Sequence, residues 1–122
     1  MDLFGSCEEC NQKNTGFDWC KACNAKHFQQ NFENWTSGNV DIDNLIRECQ
    51  LKATNCTQIV EWIPYNKLRN VCYLTKGGFS EIYVAEWIDG QIFKRDNNGL
   101  HRSNNMRVIL KKLENVESAN QS

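Results

Sequence analysis

The sequence predicts an α+β chain in which a small four-cysteine knuckle and two helices precede an antiparallel meander of three to four strands. Three observations carry this. Two Cys-x2-Cys pairs lie within residues 7–23, apolar residues recur at helical spacing between Phe28 and Ala53, and from residue 70 the apolar period falls to two. Residues 1–60 therefore read as a cysteine-rich and helical leader, and 61–122 as the strands with a polar tail.

Residues 1–27 are rich in Cys, Asn and Lys and show little apolar period. Phe28, Phe32 and Trp35 then fall at i, i+4 and i+7, one face of a helix that Thr36-Ser37-Gly38-Asn39 ends. A second helix fits from Asp41 or Asp43, either of which can act as N-cap, with Ile42, Leu45, Ile46, Cys49 and Ala53 on its apolar face. The acidic residues of its first turn complement the helix dipole. Residues 54–66 are a connector holding the single proline, Pro64. Val71–Leu74 reads as a strand and Ile82–Ile88 as a longer one, separated by the turn Thr75-Lys76-Gly77-Gly78-Phe79-Ser80. Asp89-Gly90 is a hairpin signal that would join the second strand to Gln91-Ile92-Phe93. Residues 94–106 read as polar and irregular, Arg107–Lys111 as a last strand, and 114–122 as a tail with nothing to bury. So small a meander has no cover for one face, so exposed apolar positions and open edges are expected.

Composition narrows the function. The 122 residues hold 14 Lys plus Arg against 15 Asp plus Glu, a net charge of -1, which argues against nucleic-acid or membrane-surface binding driven by bulk charge. The charge is unevenly spread, at -4 over residues 1–62 and +3 over 63–122. A mean hydropathy of -0.64 and the lack of a long apolar run argue against a membrane span. Met1-Asp2-Leu3-Phe4-Gly5-Ser6-Cys7 has no basic start leading into an apolar stretch, so an intracellular, cytoplasmic location is expected. In that compartment the seven cysteines read as metal ligands or buried thiols rather than as a disulfide framework. Cys49 and Cys72 are expected to be buried thiols.

Cys7-x2-Cys10, nine residues, then Cys20-x2-Cys23 is the strongest signal in the chain. Each pair sets two thiolates on one tight turn, and two such turns close a tetrahedron around a soft ion such as zinc. Asn14 and Gly16 supply the reversal between them. Four thiolates leave no open coordination position, so the site is structural and lets a segment too small for its own core fold with the metal. Four free thiols or a redox Cys-x2-Cys pair is the alternative reading. His27 is a substitute ligand or a surface histidine. Lys13, Lys21 and Lys26, set among Glu8, Glu9 and Asp18, make a weak case for nucleic acid.

The second constellation is strand, glycine turn, strand, and a later strand ending in lysine. Gly77 and Gly78 carry no side chain, so backbone amides there can approach a phosphate closely. Taken alone, such a turn is commoner in plain hairpins than in nucleotide loops, and a lysine at a strand end is usually solvated. The run Leu74-Thr75-Lys76-Gly77-Gly78-Phe79-Ser80-Glu81-Ile82-Tyr83-Val84-Ala85-Glu86-Trp87, followed by Val108-Ile109-Leu110-Lys111, resembles the glycine-rich loop, flanking strands and third-strand lysine of a eukaryotic protein kinase. Glu61-Trp62-Ile63-Pro64-Tyr65 resembles the start of kinase domains of the tyrosine-kinase-like group. The cysteine pairs with Asn31-Phe32 and Asn34–Asn39 resemble the zinc-knuckle leader found on a large fungal expansion of such kinases.

The resemblance implies ATP as the partner, with Gly77, Gly78, Phe79 and Ser80 over the phosphates, Ile82 on the adenine, and Lys111 pairing with phosphate. Thr75 and Ser80 stand where that family has its first and third glycines, and Ile109 where it has an alanine under the base. The 122 residues contain no His-Arg-Asp catalytic loop and no Asp-Phe-Gly metal site. The expectation is thus a truncated protein-kinase-like chain, with family-level ATP binding and kinase activity but no catalysis of its own. A non-enzymatic zinc-binding interaction module is the alternative, and the sequence identifies no protein partner.

Overall fold

A computed structural model of the chain describes residues 3–113. The polar tail expected over 114–122 lies outside the described residues. The architecture is α+β, as the periodicity predicts, and the described residues fall into two compact units. One takes those up to Pro64 together with Gln91–Ser103; the other takes Tyr65–Gly90 together with those from Asn104 onward.

In the first unit, helix α1 spans Lys21–Gln30 and α2 spans Val40–Lys52, and the two pack together. The first helix begins earlier than its apolar spacing suggests, directly on the second cysteine pair. It ends before Trp35, with a 3-10 turn at Phe32–Asn34 completing the path. Gly38, at φ +88°, makes the reversal that leads into α2. Asn39, rather than Asp41 or Asp43, caps α2, its side chain accepting from the Asp41 and Ile42 amides.

The buried face of α2 is also rotated from the apolar stripe. Ile46 and Ala53 are buried as expected, but Ile42 and Leu45 are exposed, and Asp43 and Gln50 are buried in their place. Hydrogen bonding explains the rotation. The Asp43 carboxylate accepts from Thr36 Oγ1 at 2.5 Å, Ser37 Oγ at 2.5 Å and the Ser37 amide at 2.8 Å, and Gln50 Nε2 donates to the Val60 carbonyl at 3.0 Å. Burying the fully bonded Asp43 carboxylate costs little, and the Gln50 amide bond offsets part of the cost of burying that side chain, whose Oε1 has no partner among the described residues. The two groups tie α2 to the turn before it and to the connector after it.

A hairpin of β3 (Ile92–Asp96) and β4 (Gly99–Arg102) completes this unit. The expected join of Ile82–Ile88 to Gln91-Ile92-Phe93 as neighbouring strands is therefore incorrect, and residues 94–106 are not irregular. Ile92 leaves the sheet because it is taken up by the core of Trp19 and Phe28, where Leu100 follows it together with Phe32, Cys56 and Ile59. Burying side chains of this size stabilises the unit by about 2–3 kcal/mol each. Arg102 pairs with Glu61 at 2.7 Å and fastens β4 to the connector.

The second unit is a three-stranded antiparallel sheet in the order β1-β2-β5, with β1 Leu68–Gly77, β2 Ser80–Trp87 and β5 Met106–Leu113. Both outer strands present open edges within it. Cys72, expected to be buried, is exposed on the edge strand β1, while Cys49 is half-buried. Exposed Tyr73, Leu74, Phe79 and Ile109 match the expectation of an uncovered sheet. Among the described residues no helix is long and apolar enough to cross a membrane.

Candidate metal centre

The first cysteine turn is shaped by its backbone. The Cys7 amide donates to the Gln12 carbonyl at 2.7 Å and the Asn11 amide to the Cys7 carbonyl at 2.8 Å, with Asn11 in the left-handed region at φ +63°. Asparagine tolerates that region better than most residues. The Glu9 amide points at Cys7 Sγ, 3.4 Å away. The second turn rests on Gly16 and Trp19, whose bridge reverses the chain through Asp18 at φ +51°. Gly16 is buried, and a Cβ there would stand 2.8 Å from both the Thr54 carbonyl oxygen and Asn55 Cβ. Only glycine admits this close approach. Cys20 is the residue before α1 and Cys23 lies in its first turn, so the helix fixes the second pair's spacing.

These turns bring all four sulfurs within 4.8 Å of one another. The close pairs are crossed: Cys7 Sγ lies 3.8 Å from Cys23 Sγ, and Cys10 Sγ lies 3.7 Å from Cys20 Sγ. A tetrahedral ion bonded to sulfur at about 2.3 Å sets its ligands roughly 3.8 Å apart. The cluster thus has the size and chemistry of a four-thiolate ion site.

The thiols do not ionise alike. Burial raises Cys23 and Cys20 above the ordinary thiol range, with neighbouring thiols adding to the rise at Cys23 and the Cys23 amide opposing it at Cys20. The Gln12 amide holds Cys10 below that range. Four crowded anions repel one another, and a bound cation removes the penalty while displacing the protons. His27 is not in the cluster. It faces Glu9, with Nε2 3.0 Å from each carboxylate oxygen, and holds that carboxyl below its usual range.

Sequence reasoning missed the surroundings of the sulfurs. Asn24, buried on α1, donates from Nδ2 to the Cys20 carbonyl at 2.9 Å. Its Oδ1 accepts from Arg95 Nε at 2.7 Å. Nothing local in Lys94-Arg95-Asp96 signals this, because the contact spans 71 residues of chain.

In the second unit, the residues of the kinase resemblance fall on one sheet. Thr75, Ile82 and Lys111 form one cross-strand row, and Cys72, Val84 and Ile109 the next row on the same face. Gly77 pairs with Ser80, leaving Gly78 and Phe79 as the two-residue tip. Gly78 takes φ +57°, Phe79 is exposed, and Ser80 Oγ donates back to the Gly77 carbonyl at 3.2 Å. Lys111 is exposed, and no carboxylate among the described residues pairs with it. Comparison of the chain with protein-family models, with curated proteins and with solved structures gives no match.

Proposed function

We propose that Cys7, Cys10, Cys20 and Cys23 bind one structural zinc ion, and that the chain acts as a metal-ordered, non-enzymatic interaction module. The carrying observation is the crossed sulfur pairs at 3.7 and 3.8 Å, the edge length of a zinc–thiolate tetrahedron. Zinc is favoured over harder ions because all four donors are sulfur, and over a catalytic role because no position is left for substrate. Residues Cys7, Asn24 and Trp19 then fold together around the ion, and the module's exposed side chains are left for a protein partner.

Metal analysis of the purified chain tests this. One zinc per chain is expected, lost in Cys23→Ser and retained in Cys49→Ser. A chain without zinc whose four thiols all react freely with a thiol reagent would refute the site. Stoichiometric iron with its visible absorbance would replace zinc.

A second reading rests on the Thr75–Ile82–Lys111 row: a protein-kinase-like sheet that binds ATP weakly, its phosphates at Gly77, Gly78, Phe79 and Ser80 and its base on Ile82. One sheet face supplies little of the enclosure that nucleotide pockets provide. Magnesium-ATP calorimetry with Lys111→Ala as the control separates the two readings, since only the second expects binding that the substitution removes.

A further inference from the structure

A divalent ion held by four thiolates leaves surplus negative charge in a partly buried site, and that charge needs compensation. Lining the cavity of about 240 Å³ beside Cys7, Cys20 and Cys23 are Glu8, Glu9, Asp18 and Asp96, which add to the negative charge, and the cations Lys94 and Arg95. Lys94 lies 3.7 Å from Asp96, which also takes His101 at 2.8 Å. Arg95 has no such ion pair among the described residues. It is held in place instead. Nε bonds Asn24, the Arg95 amide points at the Asp18 carbonyl at 3.5 Å, and the guanidinium sits 5.9 Å from the centre of the Phe28 ring. Ile92, three residues earlier, is 1% exposed in the core.

We infer that Arg95 is the charge-compensating positioning residue of the metal centre, so that metal binding and the seating of the β3–β4 hairpin on the cysteine segment are coupled. The inference rests on the metal reading above. Its physical content is reciprocal. The guanidinium, which lines the same cavity as Cys7, Cys20 and Cys23, favours the loaded, negatively charged state, and the loaded site in turn holds the hairpin that carries Arg95. The route runs from Arg95 through the Asn24 side chain to the Cys20 carbonyl, a link of the kind that orients ligands around metals.

The test is zinc affinity, measured by competition with a chromophoric chelator, on the full chain. Arg95→Met is expected to weaken zinc binding by about 10- to 100-fold, the usual effect of losing an outer partner. Arg95→Lys, which keeps the charge but not the fork, should recover part of that loss. Lys94→Met removes the same charge from the same strand and should change affinity less than about fivefold, because Lys94 is half-buried and already paired with Asp96 rather than bonded to Asn24. Arg95→Met within twofold of the parent, or Lys94→Met equally weakened, would overturn the assignment. If Arg95→Met does not fold, hydrogen exchange of the unmodified chain decides. Chelation should deprotect residues 92–102 along with 7–24, and a hairpin that stays protected while the cysteine segment opens would overturn the coupling. Failure of the unmodified chain to bind zinc at all would instead refute the metal site itself.

Discussion

Replacing Ile92 by alanine is expected to cost the first unit about 3.5 kcal/mol. Ile92 is 1% exposed, packed with Trp19 and Phe28, and Leu100 of the paired strand reaches the same cluster. Three carbons are lost. At about 0.8 kcal/mol for each buried carbon the transfer loss is ~2.4 kcal/mol. If roughly 40 Å³ of the vacated space persists, ~24 cal/mol per Å³ adds about 1 kcal/mol. A unit of this size has a total stability of about 5–10 kcal/mol, so the change is a large fraction of it. Urea unfolding of the purified chain, followed by tryptophan fluorescence, reads the effect. With a slope of ~1.5 kcal/mol/M the midpoint should fall by about 2 M. Phe93 is the control: it is 46% exposed and its side chain points to the other face of the strand. Phe93→Ala should cost ~1 kcal/mol or less, although the side chain is larger. If Phe93→Ala costs as much as Ile92→Ala, the hairpin does not seat in this register and the core assignment fails.

Other substitutions probe other links. Gly16→Ala places a Cβ 2.8 Å from the Thr54 carbonyl oxygen and should destabilise the unit by about 1–3 kcal/mol, a lowered melting temperature that an unchanged melt would contradict. Asp43 is held below the usual carboxylate range, chiefly by the Ser37 hydroxyl and then by the Thr36 hydroxyl and the Ser37 amide. Its folded pKa is thus lower than its unfolded one, so its contribution is complete above the unfolded value and is lost as pH falls through the folded one. The urea midpoint should drop as pH falls below about 5, and less steeply in Asp43→Asn, which lacks this group; part of the slope remains because Glu9, Glu48, Glu86 and Asp96 are shifted the same way. An identical pH slope in Asp43→Asn would refute this role. Magnesium-ATP should bind no more tightly than about millimolar, near -4 kcal/mol, and the 122-residue chain should transfer no phosphate; micromolar binding abolished by Lys111→Ala would show a working pocket.

The cysteine cluster was legible from spacing because its four sulfurs come in two local pairs. A Cys-x2-Cys turn is short enough that the chain itself brings both sulfurs to one side, and nine intervening residues with a glycine suffice to fold one pair onto the other. The same locality explains why α2, β1, β2 and β5 could be placed, though β3 and β4 were not: hydrophobic period and turn residues act over a few positions. The rotation of α2 was less legible. Its apolar stripe pointed to Ile42 and Leu45, but the Asp43 carboxylate and the Gln50 Nε2 group found partners outside the helix, in Ser37 and Val60, and those hydrogen bonds outweighed the pattern.

By itself, then, the sequence determined the α+β class, the cysteine quartet and the glycine turn with Lys111 on a later strand. The tertiary structure decided which strands pair with which, and therefore what surrounds the sulfurs. Asp89-Gly90 signals a reversal equally well whether the following strand rejoins β2 or departs, because a turn sets direction and not partner. Partner choice was made by burial. Ile92 and Leu100 gain more from the Trp19–Phe28 cluster than from a sheet face left open to water, and in following them the hairpin carries Arg95 to Asn24 and the cysteines. A contact across so many residues leaves no periodic trace, since the free energy that selects it belongs to the assembled core rather than to any segment of the chain.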